Sequence, residues 1–349
     1  MINVLIVEDS DTIAAVFARL FKTKDMQVIG RAKNGKEAIE LTEKLKPNVI
    51  TMDIQMPIMD GYEAIKHIMA NTPVPIVVIS SIINDENLNA TFQALDAGAV
   101  TVLAKPSNIM DPAVSKELQH MVDIVRTMSE IHVVKRRFNK IKQPAKVATP
   151  HISKMHYPKM EVVAIGTSIG GPHVLNTILP HLPVNFPTPI VIVQHMTKGF
   201  IVGFAQWLDK HCNITVKIAE QNEILKKGTA YFAPDSFQLK VEKKDQQLRA
   251  RLVNEAPVSG FCPSVTVLFQ SIASACGKNS TGALFTGMGN DGAIGLLELK
   301  KVGAHTFIQD QASAVVFGMA GVAESLGAVK EIIALDKIAA HLLTITEFS

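Results

Sequence analysis

The sequence predicts an α/β protein of two domains, each a doubly wound parallel sheet, with an antiparallel hairpin added to the second. Three observations carry that expectation. Apolar, β-branched runs alternate with amphipathic stretches of helical period in both halves of the chain. A basic stretch with three prolines, "KRRFNKIKQPAKVATPHISKMHYPK", breaks the alternation near the middle. The length, 349 residues, is enough for two cores of ordinary size. The expected boundaries are a first domain over 1–127, a basic linker over 128–157 and a second domain over 158–349.

In the first domain "INVLIV", "MQVIGR", "NVITMD", "PIVVIS" and "AVTVLA" read as five strands, too apolar to have a wet face. Between them, "NGKEAIELTEKLK" and "DENLNATFQALDAG" space their apolar residues as helices do. In the second domain "EVVAIG", "TPIVIVQ", "ITVKIA", "GALFTG" and "AHTFIQD" read as strands of a further parallel sheet. The segment "GTAYFAPDSFQLKVEKKDQQLRARLV" alternates more strongly and predicts the hairpin.

Composition excludes several classes. The net charge of +3 is too slight to imply nucleic acid, and the basic stretch has no companion DNA-binding motif. No apolar run approaches the length of a membrane span. Met1 leads directly into an apolar strand ending in two acids, unlike a secretory signal. The expectation is a cytoplasmic protein without membrane insertion. Cys212, Cys262 and Cys276 are odd in number and widely spaced, and read as buried thiols.

Parallel sheets present functional residues at the C-terminal ends of their strands. In the first domain those ends carry Glu8 and Asp9, Asp53, Ser80 and Lys105. Three carboxylates brought to one spot repel each other unless a hard cation is present, and magnesium prefers such oxygen ligands. The lysine and hydroxyl could then neutralise and orient a phosphoryl group on one of the acids.

In the second domain "AIGTSIGGP" (residues 164–172) poses a choice between a phosphate loop and a nucleophile. Gly166, Gly170 and Gly171 have the wrong spacing for a dinucleotide loop, and Pro172-His173 stands where a P-loop needs Lys-Ser/Thr. Read as G-x-S-x-G, the same residues put Ser168 on a tight strand-to-helix turn. A serine needs a base held by an acid. His195 ends the next strand and Asp291 follows a later one in "ALFTGMGNDGA", so three strand ends bring Ser, His and Asp to one crevice. His173, inside a helix, and His305, at a strand's beginning, are rivals better placed for packing. The glycine-relaxed turn "TGMGND" offers backbone N–H groups for an oxyanion hole.

"VEDS", "MDIQMPIMDG" and "AKPS" resemble the response-regulator receiver domain, of flavodoxin-like fold. The resemblance implies Asp53 as phospho-acceptor, and Glu8, Asp9, Asp53 and the carbonyl of Gln55 around Mg2+. It implies Ser80 and Lys105 as the phosphate switch. "AIGTSIGGP", "VIVQHM", "CPSVTVLF", "LFTGMGNDGA" and "QDQASAVVFGM" resemble, in order, the catalytic domain of the chemotaxis protein-glutamate methylesterases (the CheB family). That implies Ser168 as nucleophile, His195 as base, Asp291 as orienting acid and the amide of Met288 as oxyanion donor, with no cofactor in the esterase site. The implied activity is phosphorylation-activated hydrolysis of glutamate methyl esters, and deamidation of glutamines, on chemoreceptor helices. The implied partners are methyl-accepting chemoreceptors and a chemotaxis histidine kinase, with no nucleic acid.

The chain departs from the family pattern at Glu8, where an aspartate is usual, and at Val102, in place of an aromatic switch residue. Ile169, Thr266, Gln311 and "APDS" are further departures, and none removes a triad member. Two other functions compete: a DNA-binding response regulator, which predicts a compact helical effector, and a receiver-linked scaffold with an inert triad.

Overall fold

The computed structural model describes residues 1–80, 92–95, 97–105, 115–131, 133 and 159–347. The chain divides into two compact units, Met1–Ile141 and Lys142–Ser349. The expected linker over 128–157 and the amphipathic stretch "DENLNATFQALDAG" lie largely outside the described residues.

The first unit is a parallel five-stranded sheet: β1 (Ile2–Val7), β2 (Met26–Ala32), β3 (Val49–Met52), β4 (Ile76–Ser80) and β5 (Thr101–Ala104), in the order β2-β1-β3-β4-β5. All four residues of β3 and all five of β4 are buried, which is why their sequences are continuously apolar. The helices begin where a side chain can receive their free N–H groups. Asn34 Oδ1 accepts from Glu37 N at 3.0 Å, and Glu37 Oε2 accepts from Lys33 N at 2.9 Å, at the opening of the Gly35–Leu45 helix. Asp60 caps the Gly61–Asn71 helix in the same way through Glu63 N.

The second unit has a parallel seven-stranded sheet. Its strands are β6 (Val162–Thr167), β7 (Ile190–Gln194), β8 (Thr215–Ile218), β9 (Thr229–Phe232), β12 (Ser280–Leu284), β13 (His305–Gln309) and β14 (Glu331–Ile333), in the order β14-β13-β12-β6-β7-β9-β8. The antiparallel hairpin is β10 (Gln238–Lys244) with β11 (Gln247–Val253). Its apolar face, Leu239, Val241, Leu248 and Ala250, joins a core with Leu268, Phe269 and Ile272 of the Val265–Cys276 helix. Each leucine, valine, isoleucine or phenylalanine among them contributes about 1.5–3 kcal/mol when fully buried.

The hairpin is shorter than the alternating segment that predicts it. Thr229–Phe232 belongs to the main sheet, parallel to β7 and β8, and all four of its residues are buried. Strand order reverses at β6, which lies between β7 and β12. The crevice of a doubly wound sheet opens at such a switch point, beyond the C-terminal ends of those strands.

Candidate active site

Ser168 is the first residue after β6 and His195 the first after β7. The strands pair Thr167 with Gln194, and His195 N donates to Thr167 O at 2.9 Å, so the two residues leave the sheet side by side. Ser168 N is held by Thr286 O at 3.0 Å, and Gln194 Nε2 donates to both Ser168 O (2.8 Å) and His195 O (2.7 Å). The turn that follows needs Gly170, which has φ +79°; a Cβ there would stand 2.6 Å from Val315 Cβ.

Asp291 is fully buried, and His195 Nε2 stands 3.0 Å from its Oδ2. This is a close contact between the carboxylate and the imidazole. With Nε2 turned to Asp291, the nitrogen left for a neighbouring hydroxyl is Nδ1. Among the described residues Ser168 Oγ makes no hydrogen bond. Catalytic hydrogen bonds are commonly loose before substrate arrives.

The acid itself is held firmly. Its oxygens accept from Ser264 Oγ (2.7 Å), Val265 N (2.7 Å), Thr266 N (3.1 Å) and Gly292 N (3.0 Å). Three of those donors open the Val265–Cys276 helix, whose N-terminus favours a negative charge. Burial works against ionisation of Asp291. The His195 contact and the bonds from Thr266 and Ser264 outweigh it and hold the carboxyl below its usual range. Thr266, a departure from the family pattern, also accepts from Gly292 N through Oγ1 at 2.8 Å.

The turn after β12 approaches Ser168 from the other side. A Cβ on Gly287 would lie 2.7 Å from Ser168 Cβ and 3.2 Å from Ser168 N, so only glycine lets the turn come so close. Gly287 O accepts from Gly318 N and Met319 N, which ties the turn to the loop beyond β13. Met288 follows on the exposed side of this turn. The rivals stand apart from the pair: His173 lies in the Gly171–Ile178 helix and His305 opens β13.

One neighbour carries no signal in the sequence. Phe261 stacks flat on the His195 ring, with centroids 3.9 Å apart and planes within 2°. It sits in a stretch without period, fixed by its backbone bonds with Val258 and by Gln238 Nε2 on its carbonyl. Ser264, the N-cap of the Val265–Cys276 helix, likewise carries no signal in the sequence as a donor to Asp291.

In the first unit Glu8, Asp9 and Asp53 bring one oxygen each within 4.8 Å of one another. Glu8 and Asp53 are buried, while Asp9 is exposed. Lys105 Nζ lies 2.5 Å from Asp53 Oδ2 and 2.8 Å from Glu8 Oε2. Asp53 Oδ1 accepts from Ile54 N at 2.7 Å. Burial raises the Asp53 and Glu8 carboxyls above their usual range despite Lys105. It also opposes the charge on Lys105, but Asp53 and Glu8 outweigh it and raise that amine. Three carboxylates at one strand-end cluster are a donor set that fits a hard divalent cation. Ser80 is buried at the end of β4, and Lys105 N donates to its carbonyl at 2.9 Å.

Comparison with known proteins bears on both units. Residues 4–112 match the response regulator receiver domain and residues 163–342 the CheB methylesterase family. A protein of Methanospirillum hungatei named protein-glutamate methylesterase/protein-glutamine glutaminase 2 is 43% identical over 94% of this chain and 93% of its own. One of Nitrosospira multiformis, named protein-glutamate methylesterase/protein-glutamine glutaminase, is 42% identical over 98% and 96%. The crystal structure of the Thermotoga maritima CheB methylesterase catalytic domain is similar with a TM-score of 0.52 and 34% identity, covering 53% of this chain and 98% of that one. Among the described residues no helix is long and apolar enough to cross a membrane. A receiver followed by a methylesterase domain, matched along nearly its whole length by such relatives, places the chain in the family of protein-glutamate methylesterases/protein-glutamine glutaminases.

Proposed function

We propose that the chain hydrolyses glutamate γ-methyl esters, and deamidates glutamines, on the cytoplasmic helices of methyl-accepting chemoreceptors. The observation that carries this reading is the His195–Asp291 contact at the strand ends beside Ser168. Ser168 Oγ attacks the side-chain carbonyl while His195 takes its proton through Nδ1. Asp291 holds the ring and stabilises the imidazolium that forms. The amide of Met288 donates to the oxyanion. Collapse breaks the C–O bond of an ester or the C–N bond of a glutamine, and His195 gives its proton to the departing oxygen or nitrogen, which leaves as methanol or ammonia. Water, deprotonated by the same ring, then cleaves the acyl-enzyme to give glutamate and restores Ser168.

The receiver sets the rate of this chemistry. A chemotaxis histidine kinase supplies the phosphoryl group to Asp53. Glu8, Asp9, Asp53 and the Gln55 carbonyl would hold Mg2+, which supplies charge neutralisation for the transferred group. Lys105 exchanges its carboxylate partner for the phosphoryl oxygens, and Ser80 follows.

Methanol release from methylated receptor membranes tests the reading. Ser168→Ala should lose activity by about a thousandfold or more and remain folded. A variant that keeps more than about a tenth of the activity overturns the nucleophile. Phosphodonor labelling followed by mass measurement tests the receiver, where Asp53→Asn should carry no label and wild type should need Mg2+.

A further inference from the structure

At the opposite margin of the second sheet lie three donors that the ester chemistry does not use. His305 opens β13, Glu331 opens β14, and His341 comes from the C-terminal Leu335–Glu347 helix. The register pairs Phe307 with Glu331, one pleat on from His305, so these three share a face of the sheet. His341 packs edge-on against Phe307, with centroids 4.9 Å apart, which turns its ring toward His305. His305 Nε2 and His341 Nε2 are 3.1 Å apart. Glu331 Oε1 is 3.8 Å from His305 Nε2, and its Oε2 is 3.8 Å from His341 Nδ1.

We propose that His305, Glu331 and His341 form a zinc site that fastens the C-terminal helix to the edge of the sheet. One ligand atom from each residue lies within 4.8 Å of the others. A tetrahedral zinc with bonds of about 2.0–2.1 Å separates its ligand atoms by roughly 3.3 Å. The observed separations of 3.1 and 3.8 Å bracket that value. Two imidazoles and one carboxylate are a borderline donor set, suited to zinc rather than to magnesium or calcium.

Both rings are buried. The neutral imidazole is the form that binds metal. One ring now donates to the other; metal entry moves that proton to the donor's far nitrogen. Glu331 is partly exposed, which leaves a route for the ion and a fourth position for solvent. The ion would clamp β14, only three residues long, to the helix that follows it.

The test uses the full-length protein, stripped with a chelator and then held in excess Mg2+ so that the receiver carboxylates are occupied. Zinc is titrated against a chromophoric chelator, and Co2+ serves as a spectroscopic probe. Wild type should bind one more zinc per chain than Glu331→Gln. At free zinc about 100 times the dissociation constant, its melting temperature should rise by roughly 5–10 °C. Co2+ should give the intense visible bands of a four-coordinate site in wild type and in His195→Ala, and lose them in His341→Asn. Equal stoichiometry in wild type and Glu331→Gln overturns the proposal, as does loss of the bands in His195→Ala. Should the variants fail to fold, weak six-coordinate Co2+ bands in wild type alone overturn it.

Discussion

Asp291 is fully buried, yet four donors and a histidine keep it ionised. Its folded carboxyl titrates below the usual range. A group depressed in this way stabilises the fold above its ordinary pKa, and that contribution disappears as the pH falls through the folded value. Asp291→Asn should therefore be less stable than wild type by at least about 2 kcal/mol near pH 7, because the donors lose a charged acceptor. The gap should stay constant above about pH 5 and shrink below about pH 4. Denaturant midpoints taken across pH check this, and a gap independent of pH would mean that Asp291 is not ionised. Phe261 acts on the other partner of the pair. Its flat stack on His195 limits the ring to motion in its own plane. Phe261→Ala should lower kcat about tenfold, in keeping with the worth of an aromatic contact, while Phe261→Tyr retains activity. An unchanged kcat in the alanine variant would show that the stack does not orient the ring.

The turn between β12 and the Ala293–Lys301 helix is the element that fixes how close backbone N–H groups come to Ser168. Gly287→Ala places a methyl against Ser168 Cβ and Met319 Sδ, and one of the three must shift. The expected result is a loss of about 100-fold in kcat, comparable to losing an oxyanion donor. The stability cost should be about 1–3 kcal/mol. Activity near wild type would mean that the turn adjusts without disturbing the donor. Such strand-end placements were legible in the sequence because a buried parallel strand is a continuous apolar run whose last residue is easily found. Ser168 and His195, each the first residue after its strand, follow from that rule, while Asp291 lies seven residues beyond the end of β12 in a glycine-rich turn. The edges were less legible. β14 has three residues, too few for any period, and β9 sits beside a truly alternating hairpin and borrows its pattern. "GALFTG" begins two residues late because Ser280 and Thr281 are polar yet buried, Ser280 Oγ bonding Gly277 O. Phe261 was out of reach, since only the folded loop brings it to His195.

For the molecule as a whole, the proposal is that the receiver governs the esterase. The second unit has its own sheet and its own core, so it has what it needs to fold alone. On the proposed reading a receiver tethered to the esterase is at high effective concentration, and even a weak interface would then suffice to hold the esterase inactive. Phosphorylation of Asp53 adds negative charge beside Lys105 and Glu8, where one cation already balances two buried carboxylates. A shift of about 1.4 kcal/mol in the equilibrium changes the active fraction tenfold while that fraction is small. Val102 is buried in β5 and paired with Val78, where the family resemblance implies an aromatic switch, so on the proposed reading the signal leaves chiefly through Ser80 and Lys105. Cutting the chain between 130 and 155 should give a fragment more active than the intact, unphosphorylated protein. Phosphodonor should raise the intact protein towards the fragment and leave the fragment unchanged. Lys105→Ala should still accept the phosphoryl group at Asp53 but lose most of that activation. Methanol release from the fragment, the intact protein and the lysine variant, each with and without phosphodonor, measures all of this. Equal activity of fragment and intact protein without phosphodonor would show that the receiver does not inhibit, and would leave docking to the receptor as its role.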